Sequence, residues 1–127
     1  MGQQQLLLIV LGVIIVGIAI VVGINLFNAN ATSSNRDAVI ADLNNLGAMA
    51  NQYYMKPAAM GGGGNTYTGW VLPTGLTTTA NGTYTPTVSA QSVSIIGTGT
   101  QKGNNGSTNV QATATVTPTG VSVAIGN

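Results

Sequence analysis

Neither cysteine nor histidine occurs in this chain, and only three basic and two acidic residues stand among its 127. Without cysteine there is no disulfide and no thiolate metal site. The acids are Asp37 and Asp42, and no Asp or Glu follows them. The C-terminal two-thirds therefore lacks the carboxylate, imidazole and thiol groups on which most catalysis and metal binding depend. A Ser or Thr nucleophile there would find only Lys56 or Lys102 as a base. The expectation is a protein that is not an enzyme, with no catalytic residue, metal, cofactor or small-molecule ligand. A net charge of +1, with no cluster of Lys or Arg, argues against nucleic acid as a partner.

Charged residues make up 4% of the chain, against about 25% in an average protein. A free soluble domain relies on net charge to stay dispersed. Membrane residence, polymerisation or glycan cover would each account for so little of it. Proline is also missing from the first part of the chain, where none precedes Pro57.

What is present falls into three zones: 1–56, 57–64 and 65–127. In the first, Gln3, Gln4 and Gln5 lead into Leu6 to Ile24, a run of Leu, Ile, Val, Ala and Gly with no charge and no hydrogen-bonding side chain. An apolar helix needs roughly 20 residues to cross a bilayer, and this run supplies them. Residues 25–35 turn polar. From Val39 a helical stripe is plain: Val39, Leu43, Leu46, Ala50 and Tyr53 recur at spacings of three and four. The half-helix 36–55 is thus amphipathic. Ser34 and Asp37 have capping-box spacing, which would start a second helix. Against that, no Pro or Gly lies between Ile24 and Leu46, which favours one helix through to Met55. Such a helix is roughly 80 Å long. A remainder of about 70 residues cannot bury it, so other subunits must.

Lys56-Pro57 ends the helix, because Pro disfavours helix in the residue before it. Gly61 to Gly64 is a flexible or tightly turning link; no Lys-Ser or Lys-Thr follows to make it a phosphate loop. The third zone reads as strands. Apolar and polar residues alternate over 109–126 around Thr117-Pro118-Thr119-Gly120, which predicts a hairpin. Ser92 to Thr98 is a further strand, and Thr83 to Val88 and Tyr67 to Leu72 are weaker ones. Asn81-Gly82 marks a turn. The fold class is α+β: a long N-terminal α-helix packed against a small antiparallel β-sheet of about four strands.

This order of parts resembles a type IV pilin over the whole chain, most closely in Gln5 to Val22, QLLLIVLGVIIVGIAIVV. The resemblance implies a structural subunit. Its apolar half-helix sits first as a single pass in the inner membrane, and pilus assembly machinery then draws it into an extracellular helical filament of identical copies. It places Leu6, Leu7, Leu11, Gly12, Ile15, Gly17, Ala19, Val22 and Gly23 in the filament core. Ala19 and Gly23 form a small-xxx-small pair there. Gln3, Gln4 and Gln5 stand where the family usually has a Glu that pairs with a neighbour's N-terminal amine, so either the subunits dock differently or these glutamines satisfy the amine by hydrogen bonds. Val39, Leu43, Leu46, Ala50 and Tyr53 would pack helix on sheet. The family's basic leader is not seen, and Met1 is either the translation start or the first mature residue. Arg36 follows the run and no Lys or Arg precedes it, a charge order opposite to a pilin's that a removed leader would reconcile.

Several rival readings stay open. A signal peptide cut near Ala29-Asn30-Ala31 competes with the membrane helix. A pseudopilin of a secretion machine and a monomeric membrane-anchored surface module compete with the filament subunit. Family pseudopilins often hold calcium in the C-terminal domain, and the absence of any acid after Asp42 counts against that reading. Asn30, Asn81 and Asn105 open N-glycosylation acceptor sequences, although Asn-Gly is equally plain turn chemistry. Arg36, Asp37 and Asp42 suit either intersubunit ion pairs or a solvated helix face.

Overall fold

A computed structural model describes residues 2–127. Helix α1 runs unbroken over Gly2–Met55. Ser34 therefore caps nothing, and the polar stretch 25–35 continues the helix. With no Pro or Gly after Ile24 until Gly47, nothing in that stretch breaks the backbone ladder. The chain forms two compact units, the first ending at Ala31 and the second spanning Thr32–Asn127. The first consists of helix alone. The second holds the amphipathic half of α1 and the sheet.

At its C-terminus α1 is closed by its own link. Gly63 N donates to Tyr53 O at 2.7 Å, Gly64 N to Lys56 O at 3.0 Å and Asn65 N to Tyr54 O at 2.9 Å. These bonds satisfy carbonyls that a helix end leaves without partners. Of the two sequence readings of 61–64, the tight turn is the one realised. A side chain at Gly63 would put its Cβ 1.8 Å from Thr66 O, so only glycine fits there.

The sheet has five antiparallel strands in chain order: β1 Thr78–Thr79, β2 Gly82–Val88, β3 Val93–Lys102, β4 Asn109–Thr117 and β5 Gly120–Ile125. The expected hairpin is β4 and β5, paired from Thr117 opposite Gly120 to Ala112 opposite Ile125. β3 runs past Thr98 through an irregularity in its pairing with β4. One expected strand is absent. Residues 67–70 form a turn in which Trp70 N donates to Tyr67 O at 2.9 Å, 71–72 belong to no regular element, and the short β1 supplies the fifth strand instead. Gly69 at φ 90° permits that turn. The result buries Tyr67 and Trp70 together, whereas a strand would send alternate side chains to opposite faces.

The core lies between the amphipathic half of α1 and one face of the sheet. Val39, Leu43, Leu46 and Ala50 from the helix meet Val93, Ile95, Ala112, Ala114 and Val116 from the strands, with Tyr67, Trp70 and Tyr84 closing the ends. In β4, Val110, Ala112, Ala114 and Val116 are all buried, alternating with more exposed residues. Each fully buried Leu, Ile or Val side chain contributes about 1.5–3 kcal/mol. The layers are close. A Cβ on Gly47 would lie 2.8 Å from Val121, and one on Gly97 would lie 2.9 Å from Val39.

Candidate functional site

The apolar half of α1 is the first candidate. From Leu6 to Phe27 its large hydrophobic side chains are 51–72% exposed, and they lie on every side of the helix. A helix that is apolar all round belongs in lipid or among other helices. α1 is long and apolar enough to cross a membrane. Gln3, Gln4 and Gln5 are exposed at its start, as are Leu6, Leu7, Leu11, Ile15, Ala19 and Val22 along it.

Two groups of glycines contrast. At Gly47, Gly63, Gly82, Gly97 and Gly99 a Cβ would come within 3.0 Å of another atom of the chain, so the fold itself demands the small residue. At Gly12, Gly17 and Gly23 a Cβ would meet nothing within 4 Å. Glycine inside a helix costs about 0.5–1 kcal/mol relative to alanine. Nothing in the subunit offsets that cost at these three positions. At 3.6 residues per turn Gly12, Ala19 and Gly23 fall on one face and Gly17 on another.

The second candidate is a polar seam between helix and sheet. Asn35, one turn before Val39, is the only buried polar side chain among the described residues. Its amide donates to Asn81 O at 2.8 Å, and its carbonyl accepts from Thr100 N at 3.0 Å and Gln101 N at 3.3 Å. Two turns on, Asp42 Oδ2 accepts from the Tyr84 hydroxyl, from Asn81 Nδ2 at 3.1 Å and from Thr79 Oγ1 at 3.3 Å. Arg36 donates to Asn104 Oδ1 at 2.8 Å. Arg36 and Asp42 are thus engaged within the chain, while Asp37 is exposed. A pocket of about 90 Å³ beside Asp42, walled by Leu46, Met49 and Leu76, has room for a few waters. The described residues hold no group of three or more metal-ligating side chains.

Burial, then the hydrogen bond to Asp42, raises the Tyr84 phenol well above its ordinary value of about 10. Burial, then neighbouring Tyr54, raises Tyr67 in the same direction. Above that ordinary value the unfolded chain sheds protons that the folded chain keeps. Stability is therefore full below about pH 10 and falls as pH rises further. Denaturant midpoints of the full chain in detergent, followed by far-UV circular dichroism, should stay level from about pH 7 to 9 and drop above 10. Tyr84→Phe should flatten that drop; an unchanged slope would mean the Tyr84 phenol does not control it.

Of the three acceptor asparagines, Asn30 is exposed on the helix. Asn81 uses its amide nitrogen on Asp42. Asn105 donates to Thr108 Oγ1 at 2.8 Å and accepts from the backbone of Ser107 and Thr108. At the latter two the amide already has a structural task within a turn. Sequence reasoning passed over the seam. Asn35 continues the stripe one turn back from Val39, and that spacing was the signal for it. Asp42 carried no signal of its own, because its donors come from β1, β2 and the turn between them.

The structure thus defines an α+β chain with a single long helix, a five-stranded antiparallel meander and a helix half that could anchor in a membrane. No protein-family model, curated protein or solved structure matches the chain.

Proposed function

We propose that this chain is a pilin-like structural subunit, which polymerises through the apolar half of α1 into an extracellular filament of the type IV class. The carrying observation is the uncovered apolar surface from Leu6 to Phe27. Lipid alone would cover it, so a membrane-anchored monomer is the reading to beat. Gly12, Gly17 and Gly23 favour the filament. Lipid has no need of notches in a helix, whereas neighbouring helices pack closest at small residues. Scarcity of charge favours it too, since copies brought side by side then repel little. In this reading the segment has two homes, the inner membrane before assembly and a bundle of its own copies afterwards. Gln3, Gln4 and Gln5 dock the helix start by hydrogen bonds to a neighbour's N-terminal amine.

Electron microscopy of sheared cell-surface material, with the protein identified by mass spectrometry, tests this. Regular thin filaments containing this chain as the dominant component are expected. Recovery of the chain solely from the membrane fraction, with no filament, would overturn the proposal in favour of the anchored monomer.

A further inference from the structure

The two edges of the sheet are built differently. At one edge β1 has only two residues, and the part of β2 that extends beyond it carries Pro86, which has no N–H to offer. A short strand and a proline both blunt an edge against pairing. The opposite edge is β5, whose sequence GVSVAI contains neither proline nor charge. Among the described residues its only strand neighbour is β4.

Alternation along the hairpin settles which β5 backbone groups are used. Thr117 stands opposite Gly120 across a two-residue turn. At the far end Gly126 N donates to Gln111 O at 2.8 Å. Residues 120, 122 and 124 therefore bond to β4, and Val121, Val123 and Ile125 aim their N–H and C=O groups away from it. On the outer face Ser122 and Ala124 are exposed.

We propose that β5 pairs antiparallel with β5 of a second copy of this chain, about a two-fold axis at Val123. Val123 then opposes its own counterpart, and Val121 opposes Ile125 of the second copy. These pairs exchange about six hydrogen bonds. Three features favour a second copy. The outward groups are symmetric about Val123, so the strand matches itself. Absence of charge lets two such strands meet without the repulsion that usually keeps edges apart. The blunted opposite edge cannot receive β5, so the sheet does not extend head to tail. A two-fold contact closes on itself and cannot propagate a filament. About that axis the helix halves packed on the two sheets run in opposite directions, so the contact joins oppositely directed copies, and it stands whether or not the filament reading does.

In this register Ser122 lies opposite Ala124 of the second copy at a Cα separation of about 4.5 Å, within disulfide range. The chain has no cysteine, so each introduced thiol is unique. Full-length Ser122→Cys and Ala124→Cys proteins are mixed in detergent under mild oxidation. The mixed disulfide should be the predominant product, far above that from Val71→Cys, an exposed control site. Adding Ile125→Pro to both, which removes an outward N–H and spares β4, should abolish it. Disulfide yields equal to the control, or unaffected by Ile125→Pro, overturn the proposal. Should the cysteine variants fail to fold, Ser122→Lys in the otherwise unaltered chain tests the same contact. A mass that falls from dimer to monomer by sedimentation supports it, and an unchanged mass overturns it.

Discussion

Gly17→Phe should leave the sheet domain folded and the helix in the membrane, yet abolish filaments. Among the described residues a Cβ at Gly17 meets nothing within 4 Å, so the first atom of an added side chain finds no obstacle inside the subunit. Phenylalanine is also among the residues that enter a bilayer favourably, by about 0.3–0.6 kcal/mol at the helix centre. The cost appears only where another helix approaches. There a bulky ring must displace a packed neighbour, and overpacking typically costs about 1–3 kcal/mol at each contact. In the filament proposed above, that penalty would recur at every subunit. Gly23→Phe should act likewise from a different face, and Gly17→Ala should be milder. Filament yield in sheared fractions, set against the amount of chain in the membrane fraction, measures the effect. Normal filaments from Gly17→Phe would sink the packing argument.

The second large effect is expected in the fold itself. Leu43 is fully buried at the centre of the helix–sheet core. Leu43→Ala should cost about 2–5 kcal/mol, the lost transfer energy plus the cavity left behind. Against a total of about 5–15 kcal/mol for a domain, that is a large share. The chain offers its own reporter, since its single tryptophan is Trp70, 7% exposed in the same cluster. Tryptophan fluorescence during denaturant unfolding of the full chain in detergent should show a lower midpoint at unchanged slope. A loss under about 1 kcal/mol would mean that the site collapses around the smaller side chain or that the helix contributes little to the core. Leu46→Ala should add to this less than independently, because Leu46 belongs to the same cluster.

How much of this was legible beforehand differs by element. The helix from Val39 to Tyr53 declared itself through a repeat of three and four, and the β4–β5 hairpin through alternation around Pro118 and Gly120. Both signals are local, and both elements are present. Residues 67–72 misled because aromatic and β-branched residues also favour strands. What decided them was the chance to bury Tyr67 and Trp70 on the same side through a turn at Gly69. β1 went unseen because two residues carry no period.

The amino-acid sequence by itself determined the division of labour. Leu6 to Ile24 has no polar side chain with which to face water, and the stripe from Val39 has one face to bury; neither depends on the rest of the chain. It also determined the shortage of charge. The tertiary structure alone decided where the scarce polar groups go. Asn35 and Asp42 are joined to donors and acceptors that lie 37 to 66 residues further on, a pairing no local pattern encodes. It decided, too, which glycines the fold requires. Gly47 and Gly97 are small because helix and sheet meet there, while Gly12, Gly17 and Gly23 face open space. That contrast exists only once the layers are assembled, because steric need is a property of neighbours and not of the residue.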